Sequence, residues 1–560
     1  MKVLLAALNA KYSHSSLALR YLVSYCREEF PKIEGLEFNI NQDPGLILGE
    51  LARRRPDIVG FSCYIWNIEE ILPLIGNLRK ACPETTIIAG GPEVSFDTEY
   101  WLKTYPALDY IIAGEGEEAL RLFLQAYQAG GGKIPPASLQ DIPGLAYRRE
   151  GAVFANAPKI LDLAKIPPIY DGELTELKNK IVYYETTRGC PFRCAYCLSS
   201  VMGGVRRFPM ERSRRELKKL AALGVEQVRF VDRTFNYDAK RAEELLEFMM
   251  GLDTKTRFQL EVGGDILTKP ILELLTKAPA GRFQFEIGVQ STHAPTLAAV
   301  ARQSDLGRLA EAVKFLKTKT QVRVLLDLIA GLPKESFWRF GESFDYVYRL
   351  RPDRIHLGFL KLLRGSRLRA EAESFGCIYS KEAPYEVLRT DDLSFLELRR
   401  LKTIEDLVDK YSGPHFQNSL DYLMRGGKSP FRFFFEFAEK WEEAGFHWLN
   451  HSLMGLYKIL AEFFAEENPD LKAWLKYDFR KNEPRRQTPR WLGGLPNRQR
   501  ENDLIRSREI FNYLPELKDL RPREIGRRIF VEEFPWRAGS ELILFYFPPG
   551  RRSARTFRLS

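Results

Sequence analysis

Short apolar runs alternate with segments of helical period through the first 130 residues. VLLAAL at 3–8, LEFNIN at 36–41, DIVGFSCY at 57–64, TTIIAGG at 85–91 and LDYIIAG at 108–114 predict strands. LALRYLVSYCREEF, LILGELARRR and IEEILPLIGNLRKAC between them carry the spacing of helices packed on a sheet. Near-continuous apolar strands joined by helices predict a parallel, doubly wound α/β sheet, whose ligands bind beyond the strands' carboxyl ends. From about residue 181 the alternation resumes with IVYYETT, VEQVRFV, RFQLEVG, RFQFEIGVQ, QVRVLLDLIAG and RIHLGFLK. Six such β/α units predict a partial (β/α)6 barrel of the TIM type, again with its site at the strands' carboxyl ends.

The remaining pattern sets the boundaries. Residues 1–135 form the first sheet domain, and 136–178 a Gly/Pro-rich linker with a small β excursion, GLAYRREGAVF. Residues 179–382 form the barrel, and 383–475 are mainly helical and aromatic-rich, as in PFRFFFEFAEKWEEAGFHWL. Residues 476–560 form a basic tail closing on an expected hairpin, IFVEEFPWRAGSELILFYFPPG. The aromatics of the helical region stand at helical spacing and are read as core.

Composition and charge narrow the classes. The 560 residues are 45% hydrophobic and 28% charged, proportions of a folded globular protein. No apolar stretch is long enough to span a membrane, and the apolar run at the N-terminus stops at Asn9, short for a signal peptide. The net charge is +10, but residues 476–560 hold 20 basic and 11 acidic side chains, so nine of those ten charges belong to the tail. Arg485, Arg486, Arg490, Arg498 and Arg500, interleaved with Trp491, could contact nucleic acid. A solvated basic face packed through its aromatics is the preferred reading.

Seven cysteines make no disulfide framework and indicate a reducing cytoplasm. Three of them, Cys190, Cys194 and Cys197, stand as C-x3-C-x2-C in TTRGCPFRCAYC, directly after a predicted strand. Three thiolates on one short loop suit an iron-sulfur centre or zinc. Zinc would call for a fourth Cys or His at ligand spacing, and the next histidine is His293. The loop resembles the signature of the radical S-adenosylmethionine (radical SAM) family, including the aromatic Tyr196 before the last cysteine. The resemblance implies a 4Fe-4S cluster whose open iron binds S-adenosyl-L-methionine, and an external low-potential electron donor such as flavodoxin or ferredoxin.

Glu261, Gln290, Arg302 and Asp327 lie at or just beyond the ends of predicted barrel strands. Buried there, they are costly unless paired or facing a cavity. Their segments are similar to the coproporphyrinogen-dehydrogenase branch of the family over residues 181–380, which implies contacts to the ribose, methionine or adenine of the cofactor. A structural ion pair is the alternative for Glu261 and Asp327. Where many members carry Gly-Gly-Glu, this chain reads VDRTFNYD. Asp232 either takes over the methionine amine or pairs with Arg229 or Arg233.

The first domain resembles that of cobalamin-binding radical SAM proteins in GFSCYIW, IIAGGPEVS and IIAGEGEEAL. The resemblance implies a Rossmann-like cobalamin domain, with Ser62, Gly90, Gly91, Gly114 and Glu115 at the ligand's edge. The alternative is that the glycines only turn the chain. The familiar Asp-x-His-x-x-Gly motif is absent; Asn9, Tyr12 and His14 line the corresponding loop. His14 is an axial ligand or a hydrogen-bonding residue.

Together these features lead to a cobalamin-dependent radical SAM methyltransferase acting on an unactivated carbon. The alternatives are a radical cyclase or rearrangement enzyme without methyl transfer, or an RNA-modifying enzyme. The helical region resembles the C-terminal extension of one branch of the family and is expected to be a lid or substrate cap. Anaerobic reconstitution should yield about four iron and four sulfide per chain, lost in Cys190→Ala, Cys194→Ala and Cys197→Ala. Zinc as the sole bound metal would overturn that expectation.

Overall fold

The computed structural model describes residues 1–560 apart from 173, 179, 202, 486, 494, 495, 537, 538, 551, 552 and 560. The chain divides into two compact units, one comprising Met1–Phe337, Leu350–Pro352 and Gly358–Phe395, the other Trp338–Arg349, Asp353–Leu357 and Leu396–Ser560.

In the first unit, the N-terminal sheet has β1 (Val3–Asn9), β2 (Ile33–Asn39), β3 (Ile58–Ser62), β4 (Thr86–Gly90), β5 (Tyr110–Ile112), β6 (Leu145–Arg149) and β7 (Ala152–Ala155) in the order β2-β1-β3-β4-β5-β6-β7. The first five strands run parallel. Their apolar side chains feed two cores, one on each face of the sheet, as a doubly wound architecture requires. Its first two helices start at side-chain caps: Ser16 accepts from Leu19 N, and Asp43 accepts from Leu46 N with Pro44 at the first helical position. The register aligns the strand ends, with Ser62 opposite Gly90 and Gly90 opposite Ile112. The excursion placed in the linker is instead β6 and β7, an antiparallel extension of this sheet. This short hairpin, with Arg148, Arg149 and Glu150 at its tip, lacks the continuous apolar character of β1, β3 and β4, so its sequence does not announce the sheet it joins.

A second sheet comprises β8 (Ile181–Tyr184), β11 (Gln227–Phe230), β12 (Arg257–Glu261), β13 (Phe283–Gln290), β14 (Arg323–Ala330) and β15 (Arg354–Phe359), each beside its predecessor in sequence, with residues 354–357 of β15 counted in the second unit. A two-residue pair, β9 (Thr187–Arg188) with β10 (Arg206–Arg207), interrupts the numbering and brackets the cysteine loop. One face of the array carries an aromatic ladder, Tyr184, Phe230, Phe258 and Phe283, buried throughout. The other is polar: Gln227 donates to Gln259, Gln259 to Glu286 at 2.7 Å, and Arg229 to Glu286 at 3.2 Å. A closed barrel fills its interior with branched apolar side chains, so this polar face marks an interior built around something other than packing.

The second unit is helical, with Phe395–Tyr411, Pro430–Glu443, Leu453–Phe464 and Leu471–Asn482 as its longer helices outside the segment 337–349. Phe434, Phe437 and Trp441 are buried among Tyr411, Phe464 and their neighbours, so the aromatics of PFRFFFEFAEKW are core. The expected hairpin gains a third strand: Ile529–Trp536, Gly539–Tyr546 and Arg555–Leu559 form an antiparallel sheet. The boundary drawn at 475/476 falls inside the helix Leu471–Asn482. Arg480 of that helix is 0% exposed and paired with Glu532 on the sheet, so part of the tail's charge is internal.

Asp478 of the same helix is 0% exposed and accepts hydrogen bonds from Ser419 N at 2.8 Å, Ser419 Oγ at 2.7 Å and Asn418 Nδ2 at 2.6 Å. It thereby caps the helix Gln417–Leu423, whose own N-cap residue, Phe416, has no polar side chain. Asp478→Ala would strand these donors in a buried setting and is expected to cost about 1–3 kcal/mol, measured by denaturant unfolding.

Candidate functional site

The cysteine loop leaves the carboxyl end of β8 and is cinched at its base. Arg188 and Arg206 are directly opposed in the β9/β10 pair. Gly189 has φ +92°, and a Cβ there would come within 1.9 Å of Gly204 O, so only glycine permits the closure. Further along, Ala195 N donates to Val300 O at 2.9 Å and Leu368 N to Ala195 O at 2.9 Å, bracing the loop from two sides. Cys194 is buried, and Cys190 and Cys197 are half-buried. Cys190 Sγ lies 3.7 Å from Thr234 Oγ1, and burial pushes its thiol up. His293 does not join them; its Nδ1 meets Thr296 Oγ1 at 3.0 Å.

Arg302 reaches this loop directly. One guanidinium nitrogen lies 3.9 Å from Cys194 Sγ and another donates to Gly288 O, with Tyr196 alongside. Gln290 ends β13 with φ +70°, where the register with β14 shifts. Its Oε1 and Arg302 Nε are buried without a hydrogen-bond partner. Buried polar atoms without partners are costly, and these two lie beside the cysteine loop, where a polar ligand could satisfy them. Gly288 makes room for them, because a Cβ there would lie 2.2 Å from Gln290 Nε2. Asp327 stands opposite Gly288 on β14. Three thiols, a cation on one of them and unsatisfied donors and acceptors alongside fit a cluster with a polar cofactor next to it.

Glu261 ends β12 facing the polar interior, and burial pushes its carboxyl up to about 7, with Arg233 opposing and Glu286 adding to the rise. Asp232 behaves differently. It is 1% exposed and accepts from Thr186 N at 2.8 Å, Thr186 Oγ1 at 2.5 Å and Thr187 Oγ1 at 2.7 Å. It ties the end of β8 to β9, and its hydrogen bonds go to neither Arg229 nor Arg233.

At the carboxyl edge of the first sheet, Ser62, Gly90 and Gly91 sit side by side. Gly91 has φ +103° and a Cβ would approach Cys63 O to 2.6 Å; Gly114 has φ +82° and would meet Pro158. Both therefore have backbone reasons to be glycine. Asn9 Nδ2 donates to Glu37 at 2.8 Å and to His14 O at 3.2 Å, fixing the following loop. That loop is pinned to β8: Ile181 N donates to Ser13 O at 2.7 Å, and Tyr183 OH meets His14 Nδ1 at 3.1 Å. Burial lowers the His14 pKa, favouring the neutral ring. Tyr12 is 78% exposed beside Lys180.

Glu115 does not present a free carboxylate to a ligand. It accepts from Arg206 Nη1 at 3.0 Å and Leu161 N at 2.9 Å, with Arg188 Nη1 3.7 Å away. The acidic first turn of helix Gly116–Ala129 draws guanidiniums to it, which a strand-end reading of the sequence overlooked. Two further clusters escaped that reading. One is Arg188 with Glu117 at 2.6 Å and Glu185 at 2.8 Å. The other is Glu93, buried in the loop after β4, which accepts from Tyr385 OH and lies 3.4 Å from Arg364. Charged residues beside the glycines of GGPEVS and GEGEEAL were the available signal.

In the basic tail, Arg485 pairs with Glu483 at 3.4 Å and Arg500 with Glu509 at 3.3 Å. Arg490 and Arg498 are exposed, Trp491 is half-buried, and Arg486 lies outside the described residues. Around them Leu504, Ile510, Leu514 and Ile529 form a core.

Comparison with known proteins matches three family models to separate stretches of the chain. A family described as "B12 binding domain" matches residues 3–124, "Radical SAM superfamily" matches 184–347, and "Protein of unknown function (DUF4080)" matches 373–542. The chain is 26% identical to "Uncharacterized methyltransferase PH0819" of Pyrococcus horikoshii over 63% of this chain and 77% of that protein. It is 28% identical to "Cobalamin-dependent radical SAM methyltransferase TokK" of Streptomyces tokunonensis, over 32% of this chain and only 28% of that protein. Its fold is similar to that of the radical S-adenosylmethionine methyltransferase TsrM from Kitasatospora setae, solved with cobalamin and a [4Fe-4S] cluster bound, with a TM-score of 0.58 and 18% identity, covering 69% of this chain and 76% of that one.

The raised carboxyl of Glu261 has a measurable sign. Its folded state prefers the protonated form, so the stability it contributes is present below the ordinary carboxylate range and is lost as pH rises through about 7. Glu261→Gln should match the parent near pH 5 and exceed it at pH 8 by up to about 3 kcal/mol in the cofactor-free protein, checked by unfolding at both pH values.

Proposed function

We propose that this chain, a cobalamin-binding radical SAM protein with a C-terminal DUF4080 region, is a methyltransferase acting on an unactivated carbon. The observation that carries the reading is the union, in one compact unit, of a B12-binding sheet and a radical SAM strand array, with the loop after β1 hydrogen-bonded onto β8. When bound, the cluster and S-adenosyl-L-methionine supply a 5'-deoxyadenosyl radical that takes hydrogen from the substrate, and methylcobalamin supplies the methyl group.

The protein's own part is binding and orientation. Cys190, Cys194 and Cys197 would hold the cluster, and Arg302 offers positive charge at Cys194. Gln290 Oε1 and Arg302 Nε are open to the polar groups of the nucleotide or methionine, and Glu261 and Asp327 lie on neighbouring strands. Glu261, with its raised pKa, can donate as well as accept a hydrogen bond near neutrality. Ser62, Gly90 and Gly91 offer a backbone edge along which a flat ligand can lie. The names of PH0819 and TokK support methyl transfer over cyclisation or rearrangement. An external low-potential electron donor and a reducing, cytoplasmic compartment suit this chemistry and the seven unpaired cysteines. No helix among the described residues is long and apolar enough to cross a membrane.

Product analysis tests the assignment. With S-adenosyl-L-methionine, substrate, reductant and cobalamin, the enzyme should release 5'-deoxyadenosine together with S-adenosylhomocysteine and a methylated product. Formation of 5'-deoxyadenosine with a rearranged, unmethylated product would overturn it.

A further inference from the structure

The base of the cysteine loop is a buried charge cluster that spans two domains. Arg188 donates from Nη2 to Glu117 at 2.6 Å and from Nε to Glu185 at 2.8 Å, with Nη1 3.7 Å from Glu115. Arg206, its cross-strand neighbour, grips Glu115 with both terminal nitrogens. Glu115 and Glu117 open the helix Gly116–Ala129 of the first sheet domain, whereas Arg188 stands two residues before Cys190. The same guanidinium lies 4.9 Å from the ring of Tyr21, a residue of the first domain's opening helix. Tyr21 stacks on Phe208, just beyond β10, at 5.9 Å and 11°. Glu117 is 4% exposed, and burying this many charges is unfavourable unless geometry and pairing are maintained.

Stability alone gives no reason for such an arrangement, since a well-packed apolar contact of similar volume serves as well or better. A planar guanidinium with its donors in a fixed fork does something apolar packing does not, because it dictates direction as well as distance. Here the fork joins the strand leading into Cys190 to the helix that follows β5 of the cobalamin sheet.

We infer that Arg188 is a positioning residue that locks the cysteine loop to the cobalamin domain through Glu117 and Glu115, and so sets the separation and orientation of the two cofactor sites. It acts through the loop and touches neither substrate nor reacting atoms. The inference rests on the cofactor assignments of the proposed function, but not on methyl transfer.

The test uses full-length protein carrying a reduced four-iron cluster and cob(II)alamin, without substrate. Pulsed electron paramagnetic resonance reads the distance distribution between the two paramagnetic centres, with iron and cobalamin content measured on each sample. The parent should give one narrow distribution, and Arg188→Gln a broadened or shifted one at unchanged iron and cobalamin content. Turnover should fall about 10²-fold, the scale expected for misplacement of reacting groups by an ångström. A distribution in Arg188→Gln as narrow and as centred as the parent's would overturn the inference. Should that variant fail to hold its cluster, Glu117→Gln, which alters the other partner on the first domain, decides by the same criterion. Because the distance is read without substrate, the role of Arg188 is tested even in an enzyme that proves not to methylate.

Discussion

Two guanidiniums and three carboxylates, Arg188 and Arg206 with Glu115, Glu117 and Glu185, close the loop that carries the three cysteines. Their burial is the constraint from which much of the surrounding architecture follows. Removing one partner from a buried pair leaves an uncompensated charge at a cost of about 3–5 kcal/mol, so the strand pair, the helix start and the end of β8 are held as a set. Gly189 is part of the same constraint, since the strands approach too closely there for any side chain. Asp232 completes it, holding Thr186 and Thr187 on the short path between β8 and β9.

Above that base the strand array offers a polar face where a closed barrel would be packed with aliphatic side chains. Gln227, Arg229, Gln259 and Glu286 satisfy one another within the sheet, whereas Gln290 Oε1, at the carboxyl end of β13, and Arg302 Nε beside it are buried without a partner. The contrast between internally paired groups and these two unpartnered atoms is what a ligand-binding polar face would show. The paired layer holds the strands in place, and the unsatisfied layer has its hydrogen-bonding capacity left for something else. Burial also raises the Glu261 carboxyl to about 7, at some cost in stability near neutral pH.

The second unit follows a different logic. Its helices and terminal sheet pack on aromatic side chains, and its polar anchors, Asp478 and the Arg480–Glu532 pair, act within the fold. The positive charge that stood out in the sequence is partly neutralised there. Arg480 is buried, and Arg500 and Arg555 have acidic partners.

The order of the elements and the chemistry of the loop are legible in the amino-acid sequence. All five parallel strands of the first sheet and all six of the second were legible, because apolar runs of strand length report burial on both faces. Cys190, Cys194 and Cys197 were legible because a spacing within one loop is a local property. Features that depend on residues distant in the chain emerge from the fold. Glu115, read as a ligand contact, meets Arg206, 91 residues away, and Asp232 meets Thr186 at a separation of 46. Glu93 and Tyr385 come together across 292 residues. The pairing of the β excursion (β6 and β7) with the first sheet, and the third strand of the terminal sheet, went unread for the same reason. A strand's partner, like a carboxylate's, is chosen by the folded chain's packing and leaves little mark on the residues beside it.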